Sequence, residues 1–191
     1  MINNRVVITG IGVVAPNALG AADFEVALKE GRSGIRFFET SQSLNFRCQI
    51  AGKPLITEDY KARFFDDYYQ NKLDNNAIIY ACLAGFEAWE NAGLTHHQDQ
   101  IDFDSGMIIG SGALGLDGSN HAVFSKILAG NNKRLGSRAI PESMSSGAAA
   151  YLNKILGLGN RILSNSSACI TGTESVLLGY EHLKLGKAKR M

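Results

Sequence analysis

An α/β layered fold is predicted for this chain of 191 residues by two observations. Short runs rich in β-branched residues recur along it, and each is followed by a longer stretch with apolar residues at helical spacing. A third observation bounds the answer. Hydrophobic residues make up 45% of the chain and charged residues 19%, which is enough apolar side chain for a core. No internal repeat, low-complexity tract or Pro- or Ser-rich linker interrupts it, so residues 1–191 read as a single structural unit.

The first strand signal is Arg5-Val-Val-Ile-Thr9, closed by Gly10 and read as a buried strand. Residues 22–30 carry Phe24, Ala27 and Leu28 at helical spacing and stop at Gly31. Residues 32–53 mix polar and aromatic side chains and read as loop with short extended pieces. Residues 75–91 are dense in Ala, Ile and Leu, include Phe86 and Trp89, and end at Gly93, the pattern of a buried helix. A second strand over 104–109 enters the cluster Gly110-Ser-Gly-Ala-Leu-Gly115, and a helix around 122–128 precedes a polar loop through Arg138. The last stretch predicts a helix over 145–156, a turn at 157–160 and a strand over 161–165. Ser166-Ser-Ala-Cys-Ile-Thr-Gly172 follows, and then a long helical pattern with Lys184, Lys187, Lys189 and Arg190 toward its carbonyl end.

Composition excludes several functions. The net charge of +1 arises from 19 basic and 18 acidic residues spread along the chain, so no basic stripe marks nucleic acid as a partner. No apolar run approaches the ~18 residues of a membrane span. The start, Met1-Ile-Asn-Asn-Arg5, leads into a strand pattern rather than a signal-peptide core, and a cytoplasmic protein is expected. Cys48, Cys82 and Cys169 lie far apart with no CxxC spacing, against a disulfide framework or a zinc site.

Two glycine patterns, Gly10-Ile-Gly12-Val-Val-Ala15 and Gly110-Ser-Gly-Ala-Leu-Gly115, fit the dinucleotide fingerprint. Neither is followed by a second strand ending in an acid about 20 residues on. Both therefore read as tight strand-end turns, and no cofactor is expected.

Cys169 stands out by position. A short strand, a sharp turn of Ser166, Ser167 and Ala168, the cysteine, and a helix beginning near residues 170–172 form the strand-turn-helix layout that presents a nucleophile. Unpaired N–H groups and the positive end of a helix dipole favour thiolate over thiol there, and the same N–H groups suit an oxyanion. Free cysteine is also among the most buried residue types, so the residues alone leave Cys169 open between packing and catalysis. No histidine offers a local base. His96 and His97 fall in a turn region, His121 near a helix start, and His182 lies roughly 20 Å along the helix axis from Cys169 at 1.5 Å per residue.

Ser166-Ser-Ala-Cys-Ile-Thr-Gly-Thr-Glu-Ser175 resembles the nucleophile motif of the elongating β-ketoacyl-acyl carrier protein synthases. Four further motifs resemble that family in order: the stretch from Arg5 to Pro16, Gly31-Arg-Ser-Gly-Ile35, Gly110-Ser-Gly112, and Ser143-Met-Ser-Ser-Gly147. The resemblance implies a thiolase fold of two similar βαβαβαββ halves, usually homodimeric, of which this chain matches the N-terminal half.

It also implies a reaction. Cys169 accepts an acyl group from acyl carrier protein or coenzyme A, with its backbone N–H as one oxyanion donor. Malonyl-acyl carrier protein then loses carbon dioxide and condenses with the acyl-enzyme, in fatty acid or related polyketide-like biosynthesis. The family's two histidines, lysine and second oxyanion loop belong to the C-terminal half and have no match here, so this chain alone is expected not to condense. Gly112 and Ala113 align with a strand end that lines the acyl pocket. Ala113 falls where a bulky aliphatic residue gates chain entry, and it reads equally as a small residue needed for packing. A different class, the non-catalytic chain-length partner subunit, is disfavoured because such subunits usually lack the cysteine. A nicotinamide oxidoreductase built on the glycine clusters is the remaining alternative.

Overall fold

The computed structural model describes residues 5–66, 73, 75–95, 100–113, 116 and 119–191. His96, His97 and Gly115 lie outside these, as does the side chain of His121. The chain packs as two compact units, one of Thr9–Lys72 with Leu83–Gly93 and the other of Met1–Ile8, Leu73–Cys82 and Leu94–Met191.

In the first unit, two short antiparallel strands, β1 (Val14–Ala15) and β2 (Ala18–Leu19), lead into α1 (Ala21–Lys29). Gly20 enters this helix at φ 88°, a conformation that favours glycine. Gly31, at φ 65°, ends it in a Schellman arrangement: its N–H donates to Leu28 O at 3.2 Å and Arg32 N–H to Ala27 O at 2.8 Å. The segment read as loop with extended pieces holds β3 (Ile35–Phe37) and β4 (Ile50–Gly52), paired antiparallel, with α2 (Glu39–Ser43) between them. A further short helix, α3 (Glu58–Ala62), starts at Thr57, whose hydroxyl accepts Tyr60 N–H.

The long helix α4 (Asn76–Asn91) begins in one unit and ends in the other. In the first unit its Phe86 stacks on Phe64 at 5.6 Å and meets Phe65 edge-on at 6.0 Å, and with Ala27 and Leu83 these rings build the core. Its Glu87 carboxylate accepts the N–H of Val13 at 2.7 Å and of Ala21 at 2.6 Å, tying the start of β1 to the first turn of α1.

The run 5–9 departs from the buried strand the sequence predicts. It forms no strand, pairs with none among the described residues, and leaves Ile8 77% exposed. Apolar β-branched residues favour a strand, but a strand also needs a backbone partner. The reading of Gly10 and Gly12 as a tight turn also gives way. A Cβ on Gly10 would lie 2.1 Å from Ala88 O, and one on Gly12 would lie 1.9 Å from Ala84 O. The chain crosses the alanine face of α4 at a distance only glycine permits.

In the second unit, buried Asn75 caps α4, its Oδ1 accepting Ile78 N–H at 3.1 Å and its Nδ2 donating to Glu142 O at 2.8 Å. Strand β5 (Met107–Gly110) is followed by a π-helical turn (Ser119–Phe124), α5 (Ser125–Leu128), a 3₁₀ turn (Asn132–Arg134), α6 (Ala139–Ser143) and α7 (Gly147–Leu156). The chain returns as β6 (Ile162–Asn165), parallel to β5 with Met107 opposite Ile162 and Gly110 opposite Asn165. Helix α8 (Thr171–Lys184) closes the order.

Parallel strands joined through helices are the α/β arrangement expected. Ala148, Ala149, Leu152, Ile155 and Leu156 form the buried stripe of α7, which with Ile78, Cys82 and Met107 makes this unit's core. Helix α6 was not anticipated. It is five residues long and contains a proline, too short for a helical period to show. Among the described residues, no helix is long and apolar enough to cross a membrane.

Candidate active site

Strand β6 ends at Asn165, whose carbonyl accepts Ser111 N–H at 3.1 Å and so extends the pairing beyond Gly110. The chain then turns sharply. Ser167 has φ −135° and ψ 39°, and Ala168 takes φ 51°, a left-handed conformation rare for a residue with a side chain. A single 3₁₀ turn, Ala168–Ile170, carries Cys169 and runs directly into α8. The thiol sits exposed at the top of this strand-turn-helix, where the sequence placed it.

The turn is tied to the helix it feeds. Ser167 N–H donates to Thr171 Oγ1 at 2.6 Å, and Ile170 N–H donates to Ser167 O at 3.3 Å. The Ser167 hydroxyl donates to Glu174 Oε2, which also accepts Asn165 Nδ2 at 3.0 Å. The Ser167 bond first, and then that of Asn165, hold the Glu174 carboxyl below the usual carboxylate range. Ser175 Oγ lies 2.8 Å from Asn165 Oδ1 and 2.9 Å from Thr171 O.

Gly110 meets the same helix. A Cβ there would sit 2.3 Å from Thr171 Cγ2 and 2.5 Å from Ser175 Oγ, so this glycine permits the close approach of β5 to α8 rather than forming the turn predicted for it. Gly112, two residues on, faces the elbow: a Cβ there would be 3.8 Å from Ala168 O. Ala113 follows it and is exposed. The structure thus brings Gly112 beside the residue preceding Cys169.

The remaining thiols and the described histidine lie elsewhere. Cys48 is exposed in the first unit. Cys82 is buried in α4, and burial pushes its thiol up to about 12. His182, near the far end of α8, pairs with Asn160 Oδ1 at 3.0 Å. Burial first, and then the charges of Arg161 and Lys187, lower its affinity for a proton. Among the described residues, no group of three or more His, Cys, Asp or Glu is arranged to hold a metal.

Sequence reasoning passed over Asn165, Ser167 and Glu174 as a set. A signal was present: three polar residues at a strand end, Asn165-Ser-Ser167, need partners once their backbone is paired, and Glu174 lies in the first turns of the helix that follows.

The left-handed elbow between a parallel strand and a helix presents Cys169 at the surface, an arrangement compatible with attack on a substrate. Residues 3–191 match the family profile described as "Beta-ketoacyl synthase, N-terminal domain". A curated relative, the 3-oxoacyl-[acyl-carrier-protein] synthase 1 of Haemophilus influenzae, is 32% identical over 96% of this chain and 44% of its own length. The chain thus spans less than half of that relative. Among solved structures, the ishigamide ketosynthase/chain length factor superposes with a TM-score of 0.81 at 22% identity, covering 97% of this chain and 45% of its own. A type II polyketide synthase acyl-carrier protein in complex with its ketosynthase bound to the hexaketide (AntDE:AntF) matches with a TM-score of 0.78 at 22% identity, covering 97% and 43%. These two likenesses establish the fold, that of the thiolase-like ketosynthases.

Proposed function

We propose that this chain, which belongs to the β-ketoacyl synthase N-terminal domain family, is the nucleophile-bearing part of a β-ketoacyl-acyl carrier protein synthase, with Cys169 as its acyl acceptor. The observation that carries the reading is the exposed thiol on the Ala168 elbow at the start of α8. The Cys169 thiolate attacks the carbonyl carbon of an acyl thioester. A C–S bond forms, and the negative charge moves to the carbonyl oxygen within reach of backbone N–H groups, that of Cys169 among them. Collapse of this intermediate expels the carrier's thiolate, which takes up a proton, and leaves acyl-Cys169.

Condensation is the second half of the proposed reaction. A malonyl thioester loses carbon dioxide, and its carbanion attacks acyl-Cys169 to give a β-ketoacyl product and free thiolate. Stabilising that carbanion calls for groups that the curated relatives have the length to supply and this chain does not, since it spans 44% of the Haemophilus influenzae protein. Acyl carrier protein is the proposed donor. The presence of Cys169 argues against a non-catalytic chain-length subunit.

Gly112 and Ala113 are proposed to border the acyl path, supported by the approach of Gly112 to Ala168. A homodimeric full-length protein in the cytoplasm completes the proposal, and three unpaired cysteines suit a reducing compartment.

The test incubates the 191-residue chain with acyl- and malonyl-acyl carrier proteins. An acyl mass adduct on the Cys169 peptide, lost in Cys169→Ala, with no β-ketoacyl product, is the expected result. Equal labelling of Cys169→Ala overturns the nucleophile assignment. Product formed by this chain alone overturns the division of labour.

A further inference from the structure

Behind the Cys169 turn lies a polar clamp that the acyl transfer does not itself use. Its centre is Glu174 Oε2, on which the Ser167 hydroxyl and Asn165 Nδ2 converge. Two donors meeting on one oxygen suit an anion, because each bond is then charge-assisted. These bonds keep the carboxyl ionised to lower pH than an ordinary glutamate. The partners are well placed to matter. Asn165 is the last residue of β6, held to Ser111 through its carbonyl, and Ser167 is the residue immediately before the left-handed Ala168.

We propose that Glu174 is a positioning residue for the nucleophile: it binds the strand end and the turn to α8, and so holds Ala168 left-handed with Cys169 turned outward. An L residue leaves the left-handed region unless its neighbours are held on both sides. On one side Ser167 is fixed at its hydroxyl by Glu174 and at its N–H by Thr171. On the other, Ile170 N–H is bound to Ser167 O. Removing the carboxylate frees the Ser167 hydroxyl and takes one partner from Asn165 Nδ2, leaving Asn165 on Ser175 and Ser111, whereas a lost helix-end charge would leave the turn intact. The proposal rests on Cys169 being the nucleophile only in its significance, since its geometry is measurable without any acyl substrate.

The test compares iodoacetamide alkylation of Cys169 with that of exposed Cys48 in the same native chain, each rate read by peptide mass spectrometry. Glu174→Ala is expected to lower the Cys169-to-Cys48 rate ratio at least fivefold, and Ser167→Ala at least twofold. Glu174→Gln, whose side-chain oxygen still accepts both bonds, is expected to restore the ratio to within twofold of wild type. Glu181→Gln, exposed on the same helix, removes a charge without touching the turn and is expected to leave the ratio unchanged. A merely structural role predicts a lower melting temperature in Glu174→Ala with the ratio unchanged, and that result overturns the proposal. Should Glu174→Ala fail to fold, an unchanged ratio in Ser167→Ala overturns it equally. Absence of acyl transfer to Cys169 would count against the proposed function, while a ratio that still responds to Glu174 would leave the positioning role standing.

Discussion

Gly110 and Thr171 stand so close that no side chain fits between them: a Cβ on Gly110 would lie 2.3 Å from Thr171 Cγ2 and 2.8 Å from Thr171 O. The last residue of β5 is thereby pressed against the first residue of α8, and Thr171 in turn accepts the N–H of Ser167. This contact helps to set the spacing of the sheet, the helix and the turn that carries Cys169.

Gly110→Ala is expected to destabilise the chain by about 1–3 kcal/mol, the cost of an added methyl in a filled site. It would appear as a lower urea midpoint with an unchanged slope. Gly172→Ala is the control, because nothing lies within 4 Å of a Cβ at Gly172. It is expected to be neutral or to gain up to about 1 kcal/mol, since alanine suits a helix better.

Ala168 at φ 51° tests the elbow itself. Glycine there relieves left-handed strain but loosens the unfolded chain, two effects of about 1 kcal/mol that nearly cancel. Ala168→Gly is therefore expected to keep its stability within about 0.5 kcal/mol, whereas Ala168→Val, β-branched, is expected to lose about 1–3 kcal/mol. Denaturant midpoints decide, and equal stability for the two variants would contradict the strained conformation.

The end of the chain is held by Asp102. Its carboxylate accepts the Ser105 hydroxyl at 2.6 Å and Arg190 at 2.9 Å, while Arg190 also donates to Ser105 Oγ at 2.6 Å. Partial burial raises the Asp102 carboxyl, but bonds from Ser105, Arg190 and the Asp104 N–H outweigh it and leave it lowered. A carboxyl lowered on folding contributes stability above its unfolded value of about 3.9, and the contribution is lost as pH falls through the folded value. Asp102→Asn is thus expected to be less stable than wild type at pH 7, with the gap narrowing below about pH 4. Thermal melts across that range measure it, and a gap independent of pH would remove the charge from the account.

The three cysteines are expected to separate by reactivity. Burial pushes the Cys82 thiol up to about 12, so at pH 8 it is both shielded and protonated, while Cys48 and Cys169 are exposed. Native alkylation is expected to modify two thiols rapidly and the third only on unfolding. Fast native labelling of Cys82 would show that the α4 core opens.

Most helices were legible because a period is written in consecutive residues. The pattern over 22–30 became α1, that over 75–91 became α4, and the buried stripe of α7 lies within the predicted 145–156. The strand over 161–165 and the turn into a helix at Cys169 were readable for the same reason. What escaped was every feature set by a distant partner. The run 5–9 carries strand-forming residues, yet it has no ladder partner among the described residues.

By itself, then, the sequence determined the alternation of strand and helix and the place of Cys169 between them, because both depend on neighbours within a few residues. Tertiary structure alone decided that Gly10 and Gly12 serve a helix crossing rather than a turn, and that Gly110 serves Thr171. It alone decided that Glu174 reaches back to Asn165 and Ser167. A glycine or a glutamate has no period to betray its purpose, and its role is set by whichever backbone or donor the fold brings within about 3 Å.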